Sequence, residues 1–250
     1  MKRTHAGRAL AACAALLLGV WAGGARTNAA ASELPSSARW KTGVNYKLLS
    51  PAQPTNAPPG KVQVLEFFYL ACPYCHALEP YLQAWRKSKP AYVQFKRVPV
   101  MWAPLQVADA RLFYTLRALG RHELIETAFN TLHRLEKASG GDENVMVGST
   151  PAKTLALQEA FAERHGVAPA AFLSAYRSFD VHLELARARE LGKVFQVMHT
   201  PTIIVAGRFV TGPSNFHFRA GRPPYVSGDK RTIELINFLT RWVHDHPHAG

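Results

Sequence analysis

The sequence predicts a mixed α/β domain interrupted by an all-helical insertion, and three observations carry that prediction. An apolar strand pattern at Val62–Tyr69 leads into a helical pattern and then a second strand pattern at Tyr92–Val100. From Pro104 to Asp180 the apolar spacing is that of helices throughout. Strand and hairpin signals return at Thr202–Val210, followed by a closing helix. The order β-α-β, helices, β-β-α lets the two outer pieces complete one sheet while the helical block stands between them in sequence.

The first residues, MKRTHAGR, are basic, and they run into the apolar stretch Ala9–Ala22 and then into Ala29-Ala30-Ala31. That arrangement is a secretory signal peptide spanning 1–31, with cleavage expected after Ala31 so that the mature chain starts at Ser32. A membrane anchor fits less well, because the apolar core falls short of the roughly 18 residues a spanning helix needs and is diluted by glycine. Cys13 precedes most of that core, so it does not read as a lipidation site and is discarded with the leader. No later segment is apolar for long enough to span a bilayer, so the expectation is a chain that is soluble in an extracytoplasmic compartment once processed. Loss of Lys2, Arg3, Arg8 and Arg26, with no acid, takes the net charge from +13 to +9. The remaining cations are scattered along helices instead of forming an arm or a motif, so nucleic acid is not an expected partner.

The 219 residues from Ser32 onward, in a chain that is 48% hydrophobic, suffice for a sizeable core without disulfide stapling. Residues 32–60 form an N-terminal segment and linker, stiffened by Pro51, Pro54, Pro58 and Pro59 and ended by Gly60. Residues 61–103 make the first part of the core. Val62–Tyr69 is apolar at almost every position, as a strand buried on both faces should be, with Glu66 the exception. Cys75, Leu78, Leu82 and Trp85 then recur at helical spacing, and Pro73 sits where a first helical turn accepts proline.

Residues 104–180 are the insertion. Ala108, Leu112, Leu116 and Leu119 form one helical stripe, and Ile125, Ala128, Leu132 and Leu135 another. A polar break at Ser139–Asn144 precedes the helix entry Thr150-Pro151, and Phe161, Phe172, Tyr176 and Phe179 mark two further short helices. The second part of the core covers 181–250. Val181, Leu185, Ala188 and Phe195 lie along a longer helix, Thr202–Val205 and Phe209-Val210 flank a turn, and Ile233, Ile236, Leu239 and Val243 close the chain.

Once Cys13 is gone, Cys72 and Cys75 are the remaining thiols, in the stretch Cys72-Pro73-Tyr74-Cys75 between a strand and a helix. A cysteine at a helix start lies next to unpaired backbone N–H groups and the positive helix end, both of which stabilise a thiolate. Cys72 is therefore the expected nucleophile. Cys75, one turn on and on the apolar stripe, is the more buried thiol, which would resolve mixed disulfides by attacking Cys72. A permanent disulfide or half of a zinc site are the bland alternatives. Zinc would need His76, His199 or His217 to complete its ligands, and none of these has typical ligand spacing, so no metal or other cofactor is expected.

Residues 61–80, KVQVLEFFYLACPYCHALEP, resemble the active-site region of the DsbA family of periplasmic disulfide oxidases, and the position of the insertion and Thr200-Pro201 before a hairpin fit as well. The resemblance implies a thioredoxin fold with an inserted helical domain. It also implies that Cys72 attacks, that Cys75 resolves, that Pro201 is a cis-proline facing them, and that Glu66 is a buried acid beneath them. Thr200 would touch the same site, and Gly43-Val44-Asn45-Tyr46 resembles the family's short N-terminal strand entry. Glu66 shares a strand face with Val64 and Phe68, so burial should raise its pKa and let it take or pass the proton of Cys75; the alternative is a solvated acid at a strand edge. Glu79 reads equally as a group tuning the helix or as a surface charge.

Tyr74 departs from the family pattern, which commonly has histidine there. Histidine helps to hold the thiolate and so makes the disulfide a stronger oxidant, whereas Cys-Pro-Tyr-Cys is also the sequence of glutaredoxins, about 80–110 mV less oxidising than DsbA. His76 and His199 are candidates to restore positive potential. Phe113, Tyr114 and Phe129 could line a polypeptide groove or be simply core. The resemblance implies an enzyme that donates the Cys72–Cys75 disulfide to reduced exported polypeptides through a mixed disulfide, acts as a monomer, and is reoxidised by a membrane-bound, quinone-linked protein of the DsbB type. An exported reductase of the same fold is the nearest alternative, and a polypeptide-binding chaperone with a structural disulfide is a more distant one.

Overall fold

In a computed structural model the described residues are 34–35, 37–139, 146–216 and 226–247. The expected leader (1–31), positions 140–144 of the polar break and His217 lie outside them. A five-stranded mixed sheet forms the centre, in the order β1-β5-β4-β2-β3. Its strands are β1 (Lys47–Leu48), β2 (Val62–Phe68), β3 (Val93–Pro99), β4 (Thr202–Val205) and β5 (Phe209–Thr211). β2 runs parallel to β3 and antiparallel to β4, so it has a neighbour on each edge and side chains covered on both faces. That central place is why its sequence is apolar almost throughout. The N-terminal strand begins at Lys47, just after the Gly43–Tyr46 stretch, and Tyr46 is fully buried.

Alternate residues of β2 feed two cores. Val62 and Val64 pack with Leu78, Leu82 and Trp85 of α1 (Pro73–Ser88) and with Leu235, Ile236 and Leu239 of the last helix, α7 (Val226–Asp245). Leu65 and Phe67 face the opposite side, where Phe67 meets Phe195 with ring centroids 5.8 Å apart. The helical block lies between β3 and β4 in sequence and comprises α2 (Pro104–Ala118), α3 (Glu123–Ser139), α4 (Pro151–Arg164), α5 (Pro169–Tyr176) and α6 (Phe179–Val194). Phe113, Phe129, Phe161 and Phe172 are buried in its core, and each such ring contributes about 1.5–3 kcal/mol of burial energy. Tyr114 is buried there too, so Phe113, Tyr114 and Phe129 belong to the core, although an edge of Phe113 also borders a cavity between β3 and the helical block.

Local chemistry sets the helix starts. Thr150 and Ser178 cap α4 and α6 by accepting from the N–H groups of Lys153 and Val181. Phe179 thus opens α6 as an exposed residue and does not belong to the short helix before it, because the Ser178 cap restarts the chain there. The β4–β5 turn places Ala206 and Gly207 at φ of 53° and 65°, the left-handed pair that a tight hairpin requires. A Cβ on Gly207 would collide with the carbonyl of Gln53, whose own N–H donates to Gly207 O at 2.9 Å. The proline-rich linker is thereby fastened to the hairpin.

Candidate active site

Cys72 follows a turn at the end of β2 and is the N-cap of α1, with Pro73 at the first helical position. Its Sγ accepts from Cys75 N–H at 3.4 Å and from the Thr200 hydroxyl at 3.3 Å, and it lies 3.9 Å from Thr200 O. Thr200 arrives from the other half of the core, on the loop before β4, and the Thr200–Pro201 peptide is cis. Pro201 is buried, and its carbonyl oxygen packs against Gly212 of β5's end so closely that a Cβ there would stand 2.7 Å from it. Cys72, Cys75, Thr200 and Pro201, far apart in sequence, thus meet at one point.

Both cysteines are free thiols, and both are buried: Cys72 is 1% exposed and Cys75 0%. Cys72 is covered almost as completely as Cys75, because Thr200 reaches over it. The two thiols nonetheless differ in acidity. Hydrogen bonding from the Cys75 thiol is the main influence that lowers Cys72 to about 7, helped by the Thr200 hydroxyl and the backbone N–H groups of Cys75 and Tyr74, against an opposing effect of burial. Burial pushes Cys75 well above the usual thiol range, reinforced by its hydrogen bond to Cys72 and by the negative charges of Cys72 and Glu66. Such an asymmetric pair has one nucleophile and one poor acid.

Glu66 has no exposed surface, and its carboxyl is raised to about 7, chiefly by burial. Opposing that rise is Arg97, a residue without any signal in the sequence reading. Arg97 is the register partner of Glu66 on β3, and its Nε approaches Glu66 Oε2 to 2.7 Å while Nη2 approaches Glu79 Oε2 to 2.8 Å. The approaches lie off the ideal N–H axes, so the triad is held mainly by charge and not by well-aligned hydrogen bonds. The guanidinium also lies over Phe68, 4.2 Å from the ring centroid. Glu79 is accordingly a buried member of this triad, 4% exposed, and not a surface charge. The parallel pairing of β2 and β3 would have been the only route to Arg97 from sequence, since FKRVP otherwise reads as an ordinary half-exposed strand.

The two histidines do not supply a charge through contact with Cys72. His76 turns towards α3, where its ring stacks on His133 at 4.4 Å and its Nε2 meets Asn130 Oδ1 at 3.1 Å. His199 points to Ser214, 3.4 Å away, and desolvation, with a smaller effect from Lys47, holds its pKa below the ordinary value and favours the neutral ring. Tyr74 is 45% exposed beside the dithiol.

No family model matches the chain. It is 32% identical over 231 residues to a thiol:disulfide interchange protein DsbA from Burkholderia cepacia, a match covering 92% of this chain and 94% of the relative. The chain belongs to the DsbA family. A second DsbA, from Azotobacter vinelandii, is 32% identical over 223 residues, which is 82% of this chain and 92% of that one. Among solved structures, Pseudomonas aeruginosa DsbA superimposes with a TM-score of 0.69 at 25% identity, covering 83% of this chain and 96% of that structure. DsbA membership accounts for the thioredoxin sheet with its helical block and makes the protein a thiol:disulfide oxidoreductase. Within the DsbA framework, the Glu66–Arg97–Glu79 triad lies on the side of β2 that faces α1, the helix carrying Cys75.

Proposed function

We propose that this protein is exported to the periplasm and donates the Cys72–Cys75 disulfide to reduced, newly exported polypeptides. A substrate thiolate attacks Cys72 Sγ, the Cys72–Cys75 bond breaks, and Cys75 leaves as a thiolate that takes up a proton. Glu66, raised to about 7, is the acid suited to supply that proton. A second substrate thiolate then attacks the substrate sulfur of the mixed disulfide, and Cys72 departs with its electron pair as a stabilised thiolate. Substrate loses two electrons and the protein gains them. The basic leader and apolar stretch of 1–31 support export, and family membership supports reoxidation by a membrane-bound, quinone-linked partner of the DsbB type.

One observation carries the reading: Cys72 Sγ occupies a helix N-cap with Thr200 Oγ1 at 3.3 Å and Cys75 N at 3.4 Å, so it is a good leaving group. A shallow apolar cavity of about 620 Å³, lined by Met101, Trp102, Val197 and Met198 among others, opens within a few residues of Thr200 and suits a polypeptide substrate. The competing reading, a reductase, is favoured by Tyr74 and by the neutral His199, neither of which adds charge to the thiolate.

The test is oxidation of a reduced, unfolded substrate by the purified oxidised protein, together with its equilibrium against glutathione. The expected result is stoichiometric substrate oxidation and its complete loss in Cys72→Ser, whereas Cys75→Ser, first charged at Cys72 with oxidised glutathione, should exchange the glutathione for substrate thiol and hold the mixed disulfide. An equilibrium potential as low as that of thioredoxin, about −270 mV, would overturn the oxidase reading in favour of the reductase.

A further inference from the structure

Immediately before Cys72 the chain makes a β-turn over Tyr69–Cys72, closed by the Cys72 N–H donating to Tyr69 O at 3.1 Å. The central peptide of that turn joins Leu70 to Ala71. Both of its polar groups are taken by side chains from the helical block. His133 Nε2, from α3, donates to Leu70 O at 3.0 Å, and Ala71 N–H donates to Asp109 Oδ2, from α2, at 3.3 Å. The two side chains are buried, 5% and 1% exposed.

From this geometry we infer that Asp109 and His133 are positioning residues: a two-sided clamp by which the helical block fixes the turn that aims Cys72. The inference rests on Cys72 being the nucleophile. Turns of types I and II differ by rotation of the central peptide, and that rotation reverses the directions of its C=O and N–H. A donor held on one side and an acceptor on the other permit only one orientation. Cys72 follows this peptide directly, so the clamp decides where its Sγ stands relative to Thr200 Oγ1 and Cys75 N. A swing of the turn would move Sγ relative to both donors and so lengthen or misalign the two hydrogen bonds that it accepts.

The chemistry of the two side chains fits this task. Burying a carboxyl group is costly unless it is hydrogen-bonded, and the Ala71 N–H supplies one such bond to Asp109. The carbonyl of Leu70 can only accept, so His133 must present its Nε2 as a donor. His133 is itself braced by the stack on His76, which ties α3 to α1 one residue beyond Cys75. The helical block therefore reaches the dithiol from both sides of the turn.

Charge and geometry make opposite predictions at Asp109, which allows a sharp test. If its negative charge merely acted on Cys72 through space, both Asp109→Ala and Asp109→Asn would make Cys72 more acidic. If it clamps the turn, Asp109→Ala should make Cys72 less acidic, while Asp109→Asn, which keeps an acceptor oxygen, should retain the parental value or fall below it. The readouts are ultraviolet thiolate absorbance against pH and the rate of Cys72 alkylation at neutral pH, compared with thermal stability.

The expected result for Asp109→Ala is a fall in alkylation rate at pH 7 of about twofold or more, which is what a half-unit rise from about 7 does to the thiolate fraction, with rescue by Asp109→Asn. Should Asp109→Ala not fold, His133→Leu and His133→Gln provide the same comparison, since glutamine keeps an N–H donor and leucine does not. Equal behaviour of the members of both pairs, or an Asp109→Ala protein with an unchanged Cys72 profile, would overturn the clamp. Cys72→Ser distinguishes the two readings: if it retains turnover, the proposed reaction itself fails, whereas loss of turnover in Cys72→Ser with no effect at Asp109 removes only the clamp.

Discussion

At Cys72 the acidity comes from hydrogen bonds and not from a neighbouring cation. The Cys75 thiol, the Thr200 hydroxyl and two backbone N–H groups lower it to about 7, while His76 and His199 are engaged elsewhere. Thr200→Val keeps the shape of the side chain and removes its donor. Loss of one hydrogen bond to a charged group is worth about 1.5–3 kcal/mol at most, and a partly compensated one about 1 kcal/mol. Thr200→Val should therefore raise the Cys72 pKa by about 0.5–1 unit, read from the pH dependence of alkylation. A profile that stays at its parental position would mean that the hydroxyl does not bond to the thiolate. The sequence made Cys72, Cys75 and Pro201 legible because each sits in a short motif with its own local chemistry. The N–H groups at the helix start were legible as thiolate stabilisers too, but whether His76 or His199 adds to them was not, because the direction of a histidine ring depends on which helix packs beside it.

Arg97 shows the same limit among whole elements. It joins β3 to Glu66 of β2 and to Glu79 of α1, so its role exists only once those three elements are in register. Glu66 was visible as an acid in an apolar strand, and the burial that raises its pKa followed from that pattern. Its partner was not, since nothing local to β3 distinguishes Arg97 from Lys96. Arg97→Met would leave Glu66 buried without its counterion and Glu79 with only Arg86, 3.7 Å away, and should destabilise the fold by about 3–5 kcal/mol, measured by denaturant unfolding. Adding Glu66→Gln to that variant should recover part of the loss, and full additivity of the two changes would show that the pair is not coupled. A second contact between elements bears on the chemistry more directly. Gly212 leaves room for Pro201 O, which a Cβ would approach to 2.7 Å. Gly212→Ala should push the β4 entry towards Cys72 and slow substrate oxidation more than it lowers the unfolding midpoint. An alanine variant with parental turnover would show that the strand absorbs the change elsewhere.

For the whole molecule the order of elements along the chain and the helical block were readable because the apolar period changes from strand to helix and back again, whereas the order of strands within the sheet was not. The contacts by which that block reaches the dithiol were not, since Asp109 and His133 look like any polar residues on helices until packing brings them to one peptide. The assembled site ties redox state to stability. In the folded dithiol Cys72 is lowered from the ordinary 9.0 to about 7. A group depressed on folding contributes stability that is fully present above its unfolded value and lost as pH falls through its folded value. The reduced protein should thus gain stability as pH rises from about 7 towards 9, by on the order of 2 kcal/mol in total and about 1 kcal/mol by pH 8. Glu66 works in the opposite sense: its rise from 4.5 to about 7 lowers stability as pH increases across that lower window. To a first approximation the carboxyl contribution is common to both redox forms, while the thiolate contribution is confined to the dithiol. Subtracting the unfolding free energy of the oxidised protein from that of the reduced protein therefore isolates the thiol pair, in which Cys72 dominates below pH 8 because Cys75, pushed upward by folding, stays largely protonated there in both states; the difference should grow by about 1 kcal/mol between pH 6 and 8. By the thermodynamic cycle that links folding to oxidation, the same increment makes the folded disulfide more oxidising than the unfolded one by roughly 20–30 mV. A difference that stays flat across this range would show that the thiolate is not stabilised by the fold.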